Sequence, residues 1–296
     1  MKKLFFIALG FFVLTLSHAE NDKAFFWKVS TVEGDSDAAT VYLIGSIHFA
    51  DKSFYPLRKE IEQAFDQSDY LVVELDINKV KPEVYSEILL EKGTYKDGKT
   101  VEDVLTKETL AQLRKRLTRL NVNYDAVKNY KPGILVLTLS AIQVTQMGFQ
   151  PELGIDAHFL NKAGQQADKQ IVELETLTQQ LNVFIDIPDS ELLLKESLYS
   201  LDESEELMAD MIQLWKQGDE AKMNKLLFED SLDDFPEFNK IYDSLFYARN
   251  NKMTSKIVDM LKQRGVYFVV VGSGHLIGEK GIVNLLKEKG YTAERL

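Results

Sequence analysis

Residues Tyr267 to Lys289 read YFVVVGSGHLIGEKGIVNLLKEK. Five apolar residues, Tyr267 to Val271, stop abruptly at Gly272-Ser273-Gly274-His275, and an amphipathic helical pattern follows. A short apolar run closed by glycine is how a strand buried on both faces reads when it delivers a tight loop and one functional side chain. The same construction stands near the other end of the chain, where Val41-Tyr42-Leu43-Ile44 runs into Gly45-Ser46-Ile47-His48. Two strand-Gly-x-x-His units, roughly 230 residues apart, frame everything between them.

Working outward, Phe25 to Val32 and Ala38 to Ile44 read as two strands, with the turn formers Glu33-Gly34-Asp35-Ser36-Asp37 as a hairpin connection. A helix over Leu57 to Gln67 then leads to Tyr70-Leu71-Val72-Val73-Glu74, a buried strand closing on a carboxylate. Strand, helix and strand within some thirty residues make a βαβ unit, which predicts parallel pairing and the α/β class. From Pro82 to Met147 the pattern is helical, with N-caps at Thr100 and Thr106 and a helix start at Pro132. Ile134 to Val144 is apolar nearly all round, which predicts a buried helix. Gly154 to Leu160 reads as a helix, Gln170 to Leu174 as a strand, and Thr176 to Phe184 as a helix. Residues 189–264 are helical again and rich in Glu and Asp, with breaks near Gly218 and Pro236. The expected architecture is a mixed, partly parallel central sheet with a strand-Gly-x-x-His-helix unit at each end of the chain. Large helical insertions, about 82–147 and 189–264, would pack over it.

The first nineteen residues have another purpose. Lys2 and Lys3, the apolar stretch Phe5 to Leu16 and the small-x-small Ser17-His18-Ala19 match a secretory signal peptide cleaved after Ala19. The expected location is therefore periplasmic or secreted. Residues 20–296 would form a single α/β domain, and no later run is long and apolar enough to span a bilayer. The chain carries 35 basic and 46 acidic residues, so without Lys2 and Lys3 the net charge is −13. Such a surface repels phosphates and argues against nucleic acid as a partner. There is no cysteine, which excludes disulfides, a Cys-ligated zinc site and a Cys nucleophile.

Strand ends carry the chemistry. His48, Glu74, Glu173 or Glu175, and His275 each follow an apolar run, and parallel strands would gather them at one sheet edge, where α/β folds bind ligands. Two imidazoles and a carboxylate suit a divalent ion such as Mn, Co or Zn, and can leave a coordination position open for water. The competing reading is that each histidine only caps its strand. Asp156 and His158 share a helix and are weaker candidates, His158 being read as structural or at the surface. Arg249 suits an oxyanion or a substrate carboxylate, and a surface ion pair is the plain alternative. Gly45, Gly272 and Gly274 would let backbone approach a ligand closely. The acidic run Asp202 to Glu206 reads as a solvated helix start.

These pieces together resemble the TraB/PrgY/GumN family, which includes the Tiki metalloproteases. The resemblance rests on Tyr42 to His48, Val72 to Asp76, Gly154-Ile155-Asp156, Leu174-Glu175-Thr176 with Gln180-Leu181, Arg249-Asn250 and Val270 to Leu276, in that order along the chain. It implies a divalent-metal-dependent hydrolase with His48, His275 and Glu74 at the active site and Arg249 as the family's arginine. A peptide or protein would be the substrate. It also suggests kinship with erythromycin-esterase and haem-binding folds, so a haem-, metal- or polymer-binding envelope protein without turnover is the alternative.

Overall fold

The computed structural model describes residues 23–31, 39–202 and 204–296, without the side chains of 200–206 and 234. The expected leader, the Glu33 to Asp37 connection and the side chains of the acidic run lie outside the described residues. Among the described residues six strands form one sheet: β1 Phe26–Ser30, β2 Thr40–Ser46, β3 Tyr70–Val73, β4 Gln170–Glu173, β5 Val266–Gly272 and β6 Thr292–Arg295. Their order is β4-β3-β5-β2-β1-β6. The first four in that order pair in parallel, and β1 is antiparallel to both β2 and β6. The sheet is mixed and partly parallel, as the spacing of strands and helices predicts.

β5 lies at the centre because it is apolar throughout. Tyr267 to Gly272 are all buried, with β2 on one side and β3 on the other. The helix Lys59–Asp66 connects β2 to β3 and buries Ile61, Ala64 and Phe65. Helix Ile155–Ala163 precedes β4, and its Phe159 packs 5.0 Å from Phe65 and 4.7 Å from Phe268, ring centre to ring centre. Helix Ala248–Leu261 leads into β5 and buries Met253, Ile257 and Leu261. A fully buried side chain of this size contributes about 1.5–3 kcal/mol. These aromatic and aliphatic contacts are therefore what hold the strand ends in register.

Residues 82–147 and 189–264 supply the helical insertions. Leu113 and Leu117 pack with Leu135 and Leu139, and with Leu194 and Leu198, in an apolar cluster of their own. Trp215, on helix Ser204–Gln217, is fully buried against the sheet core and donates its indole N–H to the Gly45 carbonyl at 2.8 Å. That one side chain pins an insertion to the end of β2. Helix Pro132–Gln146 departs from the expectation of burial all round. Its first turns bury Ile134, Leu135, Val136 and Leu139, whereas Leu137 and Val144 are half-buried because they face a cleft. β6 has no apolar run and was not expected from sequence; it closes the far edge by pairing Thr292 to Arg295 with β1.

Candidate functional site

The register of the parallel strands builds the site. β2 pairs with β5 so that Ser46 stands opposite Gly272, which places the two Gly-x-x-His loops side by side. On the other flank Val73 of β3 stands opposite Val270, and Glu74 follows it. Beyond β3, Leu174 and Glu175 continue the ladder, their N–H groups donating to the carbonyls of Val73 and Glu74. Four strand ends thus deliver His48, His275, Glu74 and Glu175 to the carboxyl edge of the sheet, where open α/β folds form their crevice.

Each histidine is held through Nδ1. Asp156, in the first turn of its helix, has its carboxylate 3.2 Å from His48 Nδ1 and accepts from the Ser46 hydroxyl at 2.6 Å. A carboxylate only accepts, so Nδ1 of His48 donates to it, and Nε2 is the nitrogen that would give up its proton to a ligated ion. Desolvation lowers the His48 pKa, and the Asp156 carboxylate outweighs it, with help from Glu74, raising the pKa to about 9. The side chain is still 54% exposed, so the ring is reachable from the cleft. His275 is buried, and its Nδ1 lies 2.6 Å from Asn250 Oδ1. The Asn250 amide N–H donates to the Lys280 carbonyl at 2.8 Å, which fixes the amide so that its oxygen faces His275. Desolvation dominates over the opposing Glu74 charge and lowers the His275 pKa to about 4. His275 is therefore neutral near pH 7, and its Nε2, 3.9 Å from Glu74 Oε1, is a bare acceptor.

Glu74 is the most constrained group. Its Oε1 accepts from the Gly272 N–H at 2.7 Å, and its Oε2 accepts from Arg249 Nη2 at 2.8 Å and from Gln180 Nε2 at 3.2 Å. Burial alone would raise its pKa. His275, His48, Arg249 and the Gly272 N–H together reverse that and lower it to about 2. Arg249 forks onto Glu175 through Nε at 2.8 Å and Nη2 at 2.5 Å, and Nη1 donates to the Leu245 carbonyl at 2.9 Å. Four of its five N–H donors are taken by two carboxylates and a carbonyl, so it acts as a clamp on Glu74 and Glu175.

Gly272 marks the point of convergence. A Cβ built there would lie 3.2 Å from His48 Nε2, 3.4 Å from Glu74 Oε1 and 3.5 Å from His275 Cδ2. The absent side chain leaves a small cradle rimmed by two imidazoles and a carboxylate, a donor set that fits Mn, Co or Zn. As the side chains stand, no three His, Asp or Glu among the described residues are grouped closely enough to hold an ion together. What fits is the chemistry of the donors and the anchoring of both imidazoles through Nδ1, the usual arrangement behind metal-ligating histidines. The cradle opens into a cleft of about 470 Å³ roofed by the helical insertions.

The other expected residues separate clearly. Glu175 joins the site through Arg249, whereas Glu173 points elsewhere, accepting from the Asp76 N–H at 2.9 Å. Asp156 reaches His48, but His158, two residues on, turns away to Glu62 at 2.8 Å. Gly45 faces Ser273, whose Oγ would lie 2.7 Å from an added Cβ. At Gly274 the close neighbours are Phe246, Phe228 and Leu227. The tight approach there is by side chains of the insertion. Ser46, Gln180 and Asn250 join the site without standing out in the sequence, although all three lie within the motifs that carry the family resemblance. Their adjacency to strand-end histidines and carboxylates was the available signal.

The model of the TraB/PrgY/gumN family matches residues 25–295. The uncharacterized protein YbaP of Escherichia coli (strain K12) is 25% identical over 247 residues, 83% of this chain and 87% of that protein, and YbaP of Shigella flexneri matches to the same extent. A metalloprotease TIKI homolog of Amphimedon queenslandica is 35% identical over 80 residues, 26% of this chain and 15% of that protein. No solved structure matches the chain.

Proposed function

The chain belongs to the TraB/PrgY/gumN family, and from that premise we propose that it is an exported, divalent-metal-dependent hydrolase of peptide bonds. Residues 20–296 would act as one domain. The observation that carries this reading is the pair of histidines anchored through Nδ1, from adjacent strands, around the Gly272 cradle beside Glu74. The partial likeness to a protein named as a metalloprotease supports the same reaction class.

His48 and His275 would hold the ion, Mn, Co or Zn, with Glu74 as the third ligand. The chemistry such an ion would supply is a lowered pKa for a water molecule and a polarised carbonyl, which would bring amide hydrolysis to neutral pH. In the net reaction the water oxygen would bond to the carbonyl carbon, the C–N bond would break, and the leaving amine would take up the proton that the water gives up. Glu74 has a pKa of about 2 and is therefore a poor general base at neutral pH. It is better suited to charge neutralisation and ligation. Arg249 and Gln180 hold that carboxylate in place, so Arg249 is a positioning residue in this reading. Asp156 and Asn250 orient the two rings. The insertions cover the cleft and limit access of bulk water.

The direct test is metal analysis of the purified chain together with cleavage of a peptide library in the presence of Mn²⁺ or Co²⁺. Bound metal and stimulated cleavage, both lost in the His48→Ala/His275→Ala variant, are expected. Full activity in that double variant sinks the proposal.

A further inference from the structure

The polar edge of the cleft accounts for only part of it. Opposite Glu74 and the histidines, the wall is apolar and is assembled from separate helical segments: Val144, Phe184, Met208, Met211, Leu227 and Phe246. All but Met208 are only half-buried, so this wall keeps accessible apolar surface in direct continuity with the histidines. Leu227 and Phe246 each sit inside a five-residue π-helical turn, Lys225–Glu229 and Asp243–Tyr247. Such turns are rare, and they recur at functional sites because the widened turn redirects a side chain. Here the second of them sets Phe246 5.2 Å from the His275 ring. It also supplies the Leu245 carbonyl that receives Arg249 Nη1. Phe228 meets the Phe246 ring edge-on at 5.0 Å and braces it.

A second cavity, about 310 Å³, adjoins the first across His48, Phe49, Glu74 and Gln180 and continues toward Leu75, Ile77 and Pro151. The cleft therefore extends to both sides of the histidines. Among the described residues lining the two cavities, Arg249 is the one Lys or Arg, and four of its five N–H donors are already engaged, its charge being shared between Glu74 and Glu175. Away from the histidines such a cleft offers a chain no free cation for a terminal carboxylate, and its two arms give the chain room on both sides of the bond to be cut.

We propose that the site takes an internal peptide bond flanked by a bulky apolar residue, which the Met208, Met211, Leu227 and Phe246 wall receives. This rests on the hydrolase reading above. A cavity of about 470 Å³ is in the range that encloses small organic ligands, so it holds a Leu or Phe side chain with room for a neighbour. Methionines adapt their shape, so the wall admits Leu, Phe, Met and Ile alike and excludes carboxylates and amides that would lose hydration without gaining a partner.

The test uses quenched fluorescent hexapeptides blocked at both ends, with Leu-Phe, Ala-Ala or Ser-Asp at the centre. With Mn²⁺ present, kcat/KM for the Leu-Phe peptide should exceed that for Ser-Asp by about tenfold or more, the scale on which apolar pockets discriminate. Met211→Trp should narrow the wall and move the preference toward Ala-Ala. A parallel measurement needs no turnover. Anisotropy of the dye-labelled peptides on the His48→Ala/His275→Ala variant should show the same order of binding, with the Leu-Phe advantage reduced by Met211→Asp. Equal binding and cleavage of all three peptides, or a preference unmoved by both Met211 changes, overturns the inference. Ordered binding without cleavage of any peptide by the wild type instead counts against the hydrolase reading and leaves the apolar wall supported.

Discussion

The protonation of single side chains decides how this site can work. His48 is raised to about 9 because the Asp156 carboxylate outweighs desolvation. Asp156→Asn keeps an acceptor for the Ser46 hydroxyl and removes the charge. In metal-free protein the His48 midpoint, followed by NMR, should fall by about 1–3 pH units. An unchanged midpoint would show that Asp156 does not control the ring. Glu74 is shifted the opposite way, because His275, His48, Arg249 and the Gly272 N–H together outweigh desolvation. A carboxylate whose folded pKa lies below its ordinary value stabilises the fold fully above that value, and the contribution is lost as pH falls toward the folded pKa. For Glu74 the window runs from the ordinary glutamate value of 4.5 down to about 2. Arg249→Met leaves two buried carboxylates without their cation, a loss of about 3–5 kcal/mol near pH 7 by urea denaturation. That deficit should shrink below pH 4.5, as Glu74 takes up a proton in the variant at a higher pH than in the wild type. A deficit independent of pH would mean that Arg249 contributes packing alone.

At the scale of elements, the turn after β5 does the most with the fewest atoms. Gly272→Ala introduces no backbone strain, since Gly272 has φ −51°, yet its Cβ would stand 3.2 Å from His48 Nε2 and 3.4 Å from Glu74 Oε1. The variant should keep its far-ultraviolet dichroism and lose metal affinity by about tenfold or more, comparable to disturbing the groups that orient a metal's ligands. Undiminished affinity by calorimetry would remove the cradle from the site. The strands bearing these turns were readable because parallel strands buried on both faces become continuous apolar runs, as Tyr267 to Val271 and Tyr42 to Ile44 do. β6 was not readable: Thr-Ala-Glu-Arg carries no apolar run, and its pairing with β1 depends on where the chain returns. The cleft roof was hidden for a different reason. Met208, Met211 and Leu227 look like ordinary inner faces of amphipathic helices until the tertiary fold leaves them beside a cavity. Glu173 and Glu175 were equivalent by position at the end of one strand. Only the reach of Arg249 distinguishes them.

Across the whole molecule, the order β3-β5-β2 interleaves the two ends of the chain. The strand carrying His275 is inserted between those carrying Glu74 and His48, although it comes last among the three by almost 200 residues. The three groups therefore meet only when the sheet is complete, and an unfolded chain without cysteine offers a metal little competition. A ligand bound by the native state alone stabilises by RT ln(1 + [L]/Kd), about 2.7 kcal/mol at a hundredfold excess over Kd. For a chain of this size that corresponds to a rise in melting temperature of about 5 °C. Mn²⁺ or Co²⁺ at such an excess should produce that rise in the wild type, saturating with concentration, and almost none in His48→Ala/His275→Ala. His158→Ala removes a ring that pairs with Glu62 outside the cleft, so it should respond to the ion as the wild type does. An equal rise in the double variant would assign the stabilisation to the acidic surface, because a net charge of −11 attracts divalent cations without any organised site. Salt separates the two causes, since about 0.15 M screens surface attraction beyond about 8 Å and leaves ligation by the strand ends intact.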